Sequence, residues 1–416
     1  MNGKRRVVVT GMGALTPIGN NLTDYWQALL TGKSGAGPIT KFNAEGFKTR
    51  FACEIKGLNL ADHFTEKFIR RHDLLSLYAL IAAREAIANA GLDEWDLDKN
   101  RCGVIWGSGN GGITTLEHEL LDYATNKNLP RFSPFLVPKS LADTPSGAIA
   151  LENGFRGINY CTVSACASAT SAIIEAFKYI KWGEADMFVC GGSEAPITQA
   201  LVGGFSSMKA LSQHPFPENA SRPLDIHRDG FVIGEGSGAL VLESLDHALD
   251  RGALILAEVV GGAMSNDAYH ATATHPEGAG AVLAIGNALR EAGITMQNLD
   301  YINLHATSTP VGDLSEIRAL KKLGKDNMEV YVSATKSMTG HLLGAAGAIE
   351  AIASILSLVH QMVPPTINTT EVEPEVASGM AMVLDTPEAA QLNFAMSNTF
   401  GFGGHNTSII IGKYRA

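Results

Sequence analysis

Three residues in this sequence have the types to do covalent chemistry together. Cys166 lies in Y-C-T-V-S-A-C-A-S-A-T-S, His305 in L-H-A-T-S-T-P, and His341 in T-G-H-L-L-G-A-A-G. The run Cys161 to Ser164 is extended, and Ala169, Ala172, Ile173, Ala176, Phe177 and Ile180 then recur at helical spacing, so Cys166 falls at a helix start. A thiol there meets unpaired N–H groups and the positive end of the helix dipole, which favour thiolate. Taken alone, the stretch equally suits a buried structural cysteine. His305 follows the apolar run Tyr301 to Leu304, at the carboxyl end of a strand, where open α/β sheets keep their crevices. His341 sits between Gly340 and a helix of small residues, flanked by Lys336 and Glu350. Either histidine alone suits a structural role. Two imidazoles converging on a thiol can hold a thioester carbonyl and stabilise the enolate formed when a carboxylate leaves as carbon dioxide.

The rest of the chain must position these groups. Its 416 residues are 45% hydrophobic and 18% charged, the composition of an ordinary globular protein with room for two or three domains. A net charge of −10 argues against nucleic acid or an anionic membrane as partner. The five cysteines, Cys53, Cys102, Cys161, Cys166 and Cys190, lack C-x-x-C spacing, so neither a disulfide framework nor a zinc finger is indicated and a reducing compartment is expected. A zinc site of Cys166 and the two histidines would want a fourth ligand. Three N-terminal valines are too short for a signal peptide, and the longest apolar run, Leu342 to Val359, is broken by Glu350. These features predict a cytoplasmic protein.

In chain order, Arg6 to Thr10 reads as a buried strand entering the glycine loop Gly11 to Asn20. Its G-x-G does not open a helix at once, unlike a dinucleotide fingerprint. Helices are expected over Leu22 to Gly32 and, as one long element, Glu66 to Asn89. The latter brings Lys67, Arg70 and Arg71 onto neighbouring faces, as a solvated face or an anion-docking patch. A strand over Cys102 to Gly107 ends in G-S-G-N-G-G, where Asn110 is the one polar side chain with reach. Asp186 to Cys190 is a strand followed by Gly191 and Gly192. From Ala253 the order restarts: strand Leu254 to Val260 into Gly261 and Gly262, helix Gly280 to Ala292, strand Tyr301 to Leu304, and helix Gly344 to Val359. Two related α/β halves, 1–252 and 253–416, follow.

The segments V-V-V-T-G-M-G-A-L-T-P-I-G, S-A-C-A-S, R-P-L-D-I-H-R-D-G-F-V-I-G-E-G, H-A-T-S-T-P-V-G-D, T-K-S-M-T-G-H-L-L-G-A-A-G-A-I-E and S-N-T-F-G-F-G-G carry a family resemblance over nearly the whole chain. It resembles the elongating β-ketoacyl-acyl carrier protein synthases of type II fatty-acid synthesis. The resemblance implies a thiolase-like fold, with duplicated halves in α-β-α-β-α layers, and a homodimer. It implies that Cys166 accepts the acyl group, that His305 and His341 drive decarboxylation of malonyl-acyl carrier protein, and that Lys336 pairs with Glu350. The backbone N–H groups of Cys166 and Phe402 would form an oxyanion hole, with Phe402 also gating an acyl pocket lined by Phe231 and Asn110. Asp267 and Thr272 would belong to a loop moving with the gate. Lys67, Arg70, Arg71, Arg131 and Lys209 would dock the acidic carrier protein. No metal or organic cofactor is implied, since the carrier's phosphopantetheine brings the thioesters.

Two positions depart from the family pattern. Ala306 replaces a glycine and could narrow the site. Asn110 replaces an apolar pocket residue, which suggests a polar partner or a shorter, polar or polyunsaturated acyl chain. The alternatives are a ketosynthase of a polyketide or polyene pathway, a non-catalytic chain-length partner subunit, which the presence of Cys166, His305 and His341 opposes, and a cysteine hydrolase.

Overall fold

The valine-rich opening folds as β1 (Val7–Leu15), with every residue buried. The computed structural model describes residues 4–92, 95–127, 129–324, 329–376 and 380–415. Ten further strands join β1 in one sheet: β2 (Cys102–Gly107), β3 (Asn159–Thr162), β4 (Met187–Glu194), β5 (Gly236–Ser244), β6 (Ala257–Asn266), β7 (Tyr301–Asn303), β8 (Val330–Ser333), β9 (Met380–Met382), β10 (Phe394–Gly401) and β11 (His405–Gly412). Their order is β9-β8-β7-β10-β11-β6-β1-β5-β4-β2-β3. Outward from the β1–β6 seam the two wings repeat. Antiparallel pairs β1–β5 and β5–β4 give way to parallel β4–β2 and β2–β3. On the other side β6–β11 and β11–β10 are antiparallel, while β10–β7 and β7–β8 are parallel.

Five helices complete the layers: α1 (Leu74–Asn89), α2 (Ser168–Lys181), α3 (Ala279–Ala292), α4 (Pro310–Gly324) and α5 (Ala346–His360). The small-residue faces of α2 and α5 pack together between the wings, within the largest apolar core. Helix α1 covers the outer face of the first wing, and α3 and α4 that of the second, each over a core of its own. These are the α-β-α-β-α layers expected of a thiolase-like fold. The segment Leu343–His360 is long and apolar enough to cross a membrane by length and composition, but it is 89% buried within the protein as this central layer.

The duplication reaches individual residues. An extra residue interrupts β1 at Thr10, between the pairs Val9–Leu242 and Gly11–Val241; Val260 interrupts β6 in the same way, between Val259–Ile411 and Gly261–Ile410. A glycine follows each bulge because a helix backbone lies against it. A Cβ on Gly11 would come 2.2 Å from the Ala86 carbonyl oxygen, and one on Gly261 2.4 Å from that of Ala288.

This packing corrects three expectations. Strand β1 does not end at Thr10 but runs through G-M-G-A-L to Leu15, so its glycines receive α1 rather than a phosphate. Gly191 and Gly192, and likewise Gly261 and Gly262, lie inside β4 and β6 rather than after them. The long helix of 66–89 is two: a short one, Glu66–Arg71, and α1. Asp73 causes the break. It is extended, accepts the Leu75 N–H at 3.0 Å as N-cap of α1, and takes the Thr115 N–H and hydroxyl on its other oxygen at 2.8 and 2.6 Å.

Candidate active site

The segments at the carboxyl ends of β2, β3, β7 and β10 converge on one cavity of about 430 Å³. After β3 the chain turns sharply through Ala165, whose φ is +51°. Ser168 fastens the turn: its hydroxyl donates to the Ala165 carbonyl at 2.7 Å and accepts the Ser164 N–H at 2.9 Å. Cys166 is thus presented on a rigid elbow at the cavity wall.

His305 and His341 come from the other half. The His341 Nε2 lies 3.0 Å from the Cys166 Sγ, and the two imidazoles stand edge to face with ring centroids 5.4 Å apart. Phe231 packs edge-on to His341 at 5.4 Å, and Phe400 against His305 at 5.6 Å. Behind them Lys336 and Glu350 form an ion pair with side chains 1% and 0% exposed. Burial pulls both imidazoles well below the ordinary histidine value and the Lys336 ammonium pulls them further, so both are neutral. Burial also pushes the Cys166 thiol up to about 12, against the opposing pull of the Lys336 charge and the N–H groups of Phe402 and of Cys166 itself. Burial thus opposes the thiolate that a helix start favours, and helix α2 proper begins at Ser168, beyond the cysteine.

Family models settle the lineage. Residues 4–248 match the β-ketoacyl synthase N-terminal domain and residues 256–370 its C-terminal domain. The chain belongs to the β-ketoacyl synthase family. The synthase is 46% identical over 99% of its length to 3-oxoacyl-[acyl-carrier-protein] synthase 2 of Synechocystis, 99% of which is covered. Among solved structures, the ishigamide ketosynthase/chain length factor superposes with a TM-score of 0.92 at 33% identity, covering 99% of the synthase and 100% of that chain. A type II polyketide synthase acyl-carrier protein in complex with its ketosynthase bound to the hexaketide gives 0.89 at 30%, with 99% and 100% covered.

The synthase gathers most of the residues expected from its sequence. Cys166, His305, His341, Asn110, Phe231, Phe402, Thr272 and Lys209 all line the cavity. Asp267 does not; it ties loops together, taking the Asn406 amide at 2.8 Å and the His275 N–H at 3.0 Å while its own N–H donates to the Gly404 carbonyl at 2.8 Å. Lys67, Arg70, Arg71 and Arg131 are exposed and do not line the cavity. Ala306 does not narrow the site, because its methyl is buried in the second half's own core. Asn110 has a protein partner: its Nδ2 donates to Glu194 Oε2 at 3.0 Å.

Two buried acids of the synthase escaped the sequence reading. Glu316 on α4 accepts the N–H groups of His305 and Ala306 at 3.0 and 2.9 Å and the Asn398 amide at 3.0 Å. Glu194 at the end of β4 accepts the Ser108 hydroxyl at 3.1 Å, the Asn110 N–H at 3.2 Å and the Gly109 N–H. Burial pushes each carboxyl up to about 7. Glu194 has one sequence signal, an acid closing the apolar run D-M-F-V-C-G-G-S-E, whereas Glu316 in G-D-L-S-E-I-R-A-L-K-K reads as an ordinary charged helix residue.

Proposed function

We propose that the chain catalyses the decarboxylative Claisen condensation of an acyl-enzyme with malonyl-acyl carrier protein, giving a β-ketoacyl-acyl carrier protein two carbons longer in fatty-acid synthesis. The observation that carries this is the Cys166 Sγ 3.0 Å from the His341 Nε2, with His305 beside it in one cavity. Sγ attacks the carrier-bound acyl thioester, the thiol proton ends on the departing phosphopantetheine sulfur, and the N–H groups of Cys166 and Phe402 hold the oxyanion. Malonyl carrier protein then loses carbon dioxide. Neutral His305 and His341 donate to the enolate oxygen, the enolate carbon attacks the acyl carbonyl, and Cys166 leaves as thiolate and takes up one proton. Burial, reinforced by the Lys336 charge, keeps both imidazoles neutral.

The reading needs no resident metal or organic cofactor, since the carrier supplies both thioesters. Lys67, Arg70, Arg71, Arg131 and Lys209 are its docking cations, supported by their exposure on an otherwise acidic chain. Phe402 is the gate. It packs on Phe205 with centroids 6.3 Å apart and precedes Gly403 and Gly404, at φ +83° and +76°, while Asp267 and Thr272 lie in the loop that moves with it. The halves are 1–252 and 253–416. A homodimer forms through the free edge β3, near which Val163 is 62% exposed. Five free cysteines suit a reducing cytoplasm. A polyketide or polyene ketosynthase is the second reading, favoured by Asn110; the higher identity to the fatty-acid enzymes supports the first.

Intact-mass analysis after incubation with acyl carrier proteins and then malonyl carrier protein tests this. Acylation absent from Cys166→Ala and a product two carbons longer are expected. A protein never acylated by any chain would instead be a partner subunit, and acyl-enzyme hydrolysed without malonyl carrier a hydrolase.

A further inference from the structure

The cavity around Cys166 is walled by Phe205, Phe231, Leu343, Phe400 and Phe402, and Asn110 is the one carboxamide among its described lining residues. That amide is aimed from behind. Glu194 is fully buried, and the contacts it makes are all with neutral donors: the Ser108 hydroxyl, two backbone N–H groups and the Asn110 Nδ2. Above its raised value of about 7 the Glu194 carboxylate only accepts hydrogen bonds, so the NH₂ end of Asn110 turns to it and the carbonyl end is left for the cavity. Among the described residues no protein donor meets its Oδ1, and one Nδ2 hydrogen is also unused. Asn110 is half-buried, so its free carbonyl faces whatever occupies the cavity.

We propose that Asn110, oriented by Glu194, is a specificity-determining residue that selects acyl chains bearing a hydroxyl group at its depth in the cavity over plain hydrocarbon chains. This rests on the condensing reading above. A hydroxyl donates to Oδ1 and accepts from the free Nδ2 hydrogen, meeting both ends of the amide. A keto oxygen meets only the N–H, and a methylene meets neither. Glu194 is a positioning residue in this scheme, acting through Asn110 rather than on substrate.

The test uses acyl carrier proteins of one chain length, either plain or carrying a single hydroxyl at successive carbons from the third outward. The readouts are the mass of the Cys166 acyl-enzyme and kcat/KM for elongation. The wild type is expected to favour the hydroxylated chain at one depth by about 10- to 100-fold. Asn110→Leu should abolish that preference. Should Asn110→Leu fail to fold, Asn110→Ala must lose the preference. Glu194→Gln can donate as well as accept, which frees the amide to turn, so it should weaken the preference. Equal kcat/KM for plain and hydroxylated chains at every depth, or a preference that survives in Asn110→Leu and Asn110→Ala, overturns this inference and leaves the condensing reading intact. Failure of every chain to acylate Cys166 overturns both.

Discussion

The loops that leave β2 and β7 occupy equivalent places in the two wings, and each is gripped by a buried glutamate. Glu194 takes the N–H groups of Gly109 and Asn110; Glu316 takes those of His305 and Ala306. Each also accepts from an asparagine side chain, Asn110 or Asn398. Yet Glu194 closes strand β4, whereas Glu316 stands on helix α4. The device was reached from different elements, so the requirement lies in the loop: two successive N–H groups at a strand end need a buried acceptor. What differs is the load. The second-half loop presents an imidazole beside the ammonium of Lys336, whose charge acts on Glu316, while the first-half loop presents an amide and its acid has only neutral donors.

Removing the cation tests that asymmetry most severely. Lys336→Met leaves Glu350 buried without its partner and should cost about 3–5 kcal/mol in urea unfolding, whereas Lys336→Met with Glu350→Met should return most of it. Equal losses in the single and double variants would show that the pair is not what the lysine supports. Next comes the catalytic loop. Glu316→Ala frees the His305 and Ala306 N–H groups and should lower the rate of malonyl-carrier decarboxylation about 100-fold, or about 2.7 kcal/mol. Glu194→Ala should change that rate by less than about threefold, since no imidazole hangs on its loop. Similar losses in both would break the division between a chemical and a selective loop.

The smallest effect is a pH dependence. A carboxyl raised to about 7 in the folded protein, from an ordinary 4.5, favours folding when protonated. Its contribution is full below the unfolded value and is lost as pH rises through the folded one. Stability should therefore fall between pH 5 and 7 by about 2 kcal/mol for each acid. Glu194→Gln should make the slope shallower by one acid's share, and a slope unchanged by this variant would mean Glu194 is ionised throughout.

Much of the site was legible in the sequence because its residues sit at strand ends in unusual company. Cys166 at a helix start and His305 at a strand end were candidates by position, each equally open to a structural role, and the family motifs supplied their functions. Glu194 and Glu316 were not legible. A single acid beside a strand or on a helix is usually solvated, and only the tertiary packing shows that these two point inward. The β-α order and the repeat were also legible, but glycines inside β1, β4 and β6 were read as loops. Their freedom is used for helix contact, which no local pattern distinguishes from a turn. The break at Asp73 had a signal in H-D-L-L, an N-cap residue before an apolar run, overridden by the helical period around it.

Hydrogen bonding between the wings runs through a short seam, Val7 to Val9 against Ala257 to Val259. A growing polypeptide that has not yet reached Ala257 therefore carries an open β-edge on β1, a surface prone to pair with other chains. It also carries Cys166 but neither His305 nor His341, which follow later in the sequence. Synthesis from the N-terminus thus exposes the sticky edge early and assembles the reactive centre last, so closing the seam and arming the thiol belong to the same late stage of biogenesis.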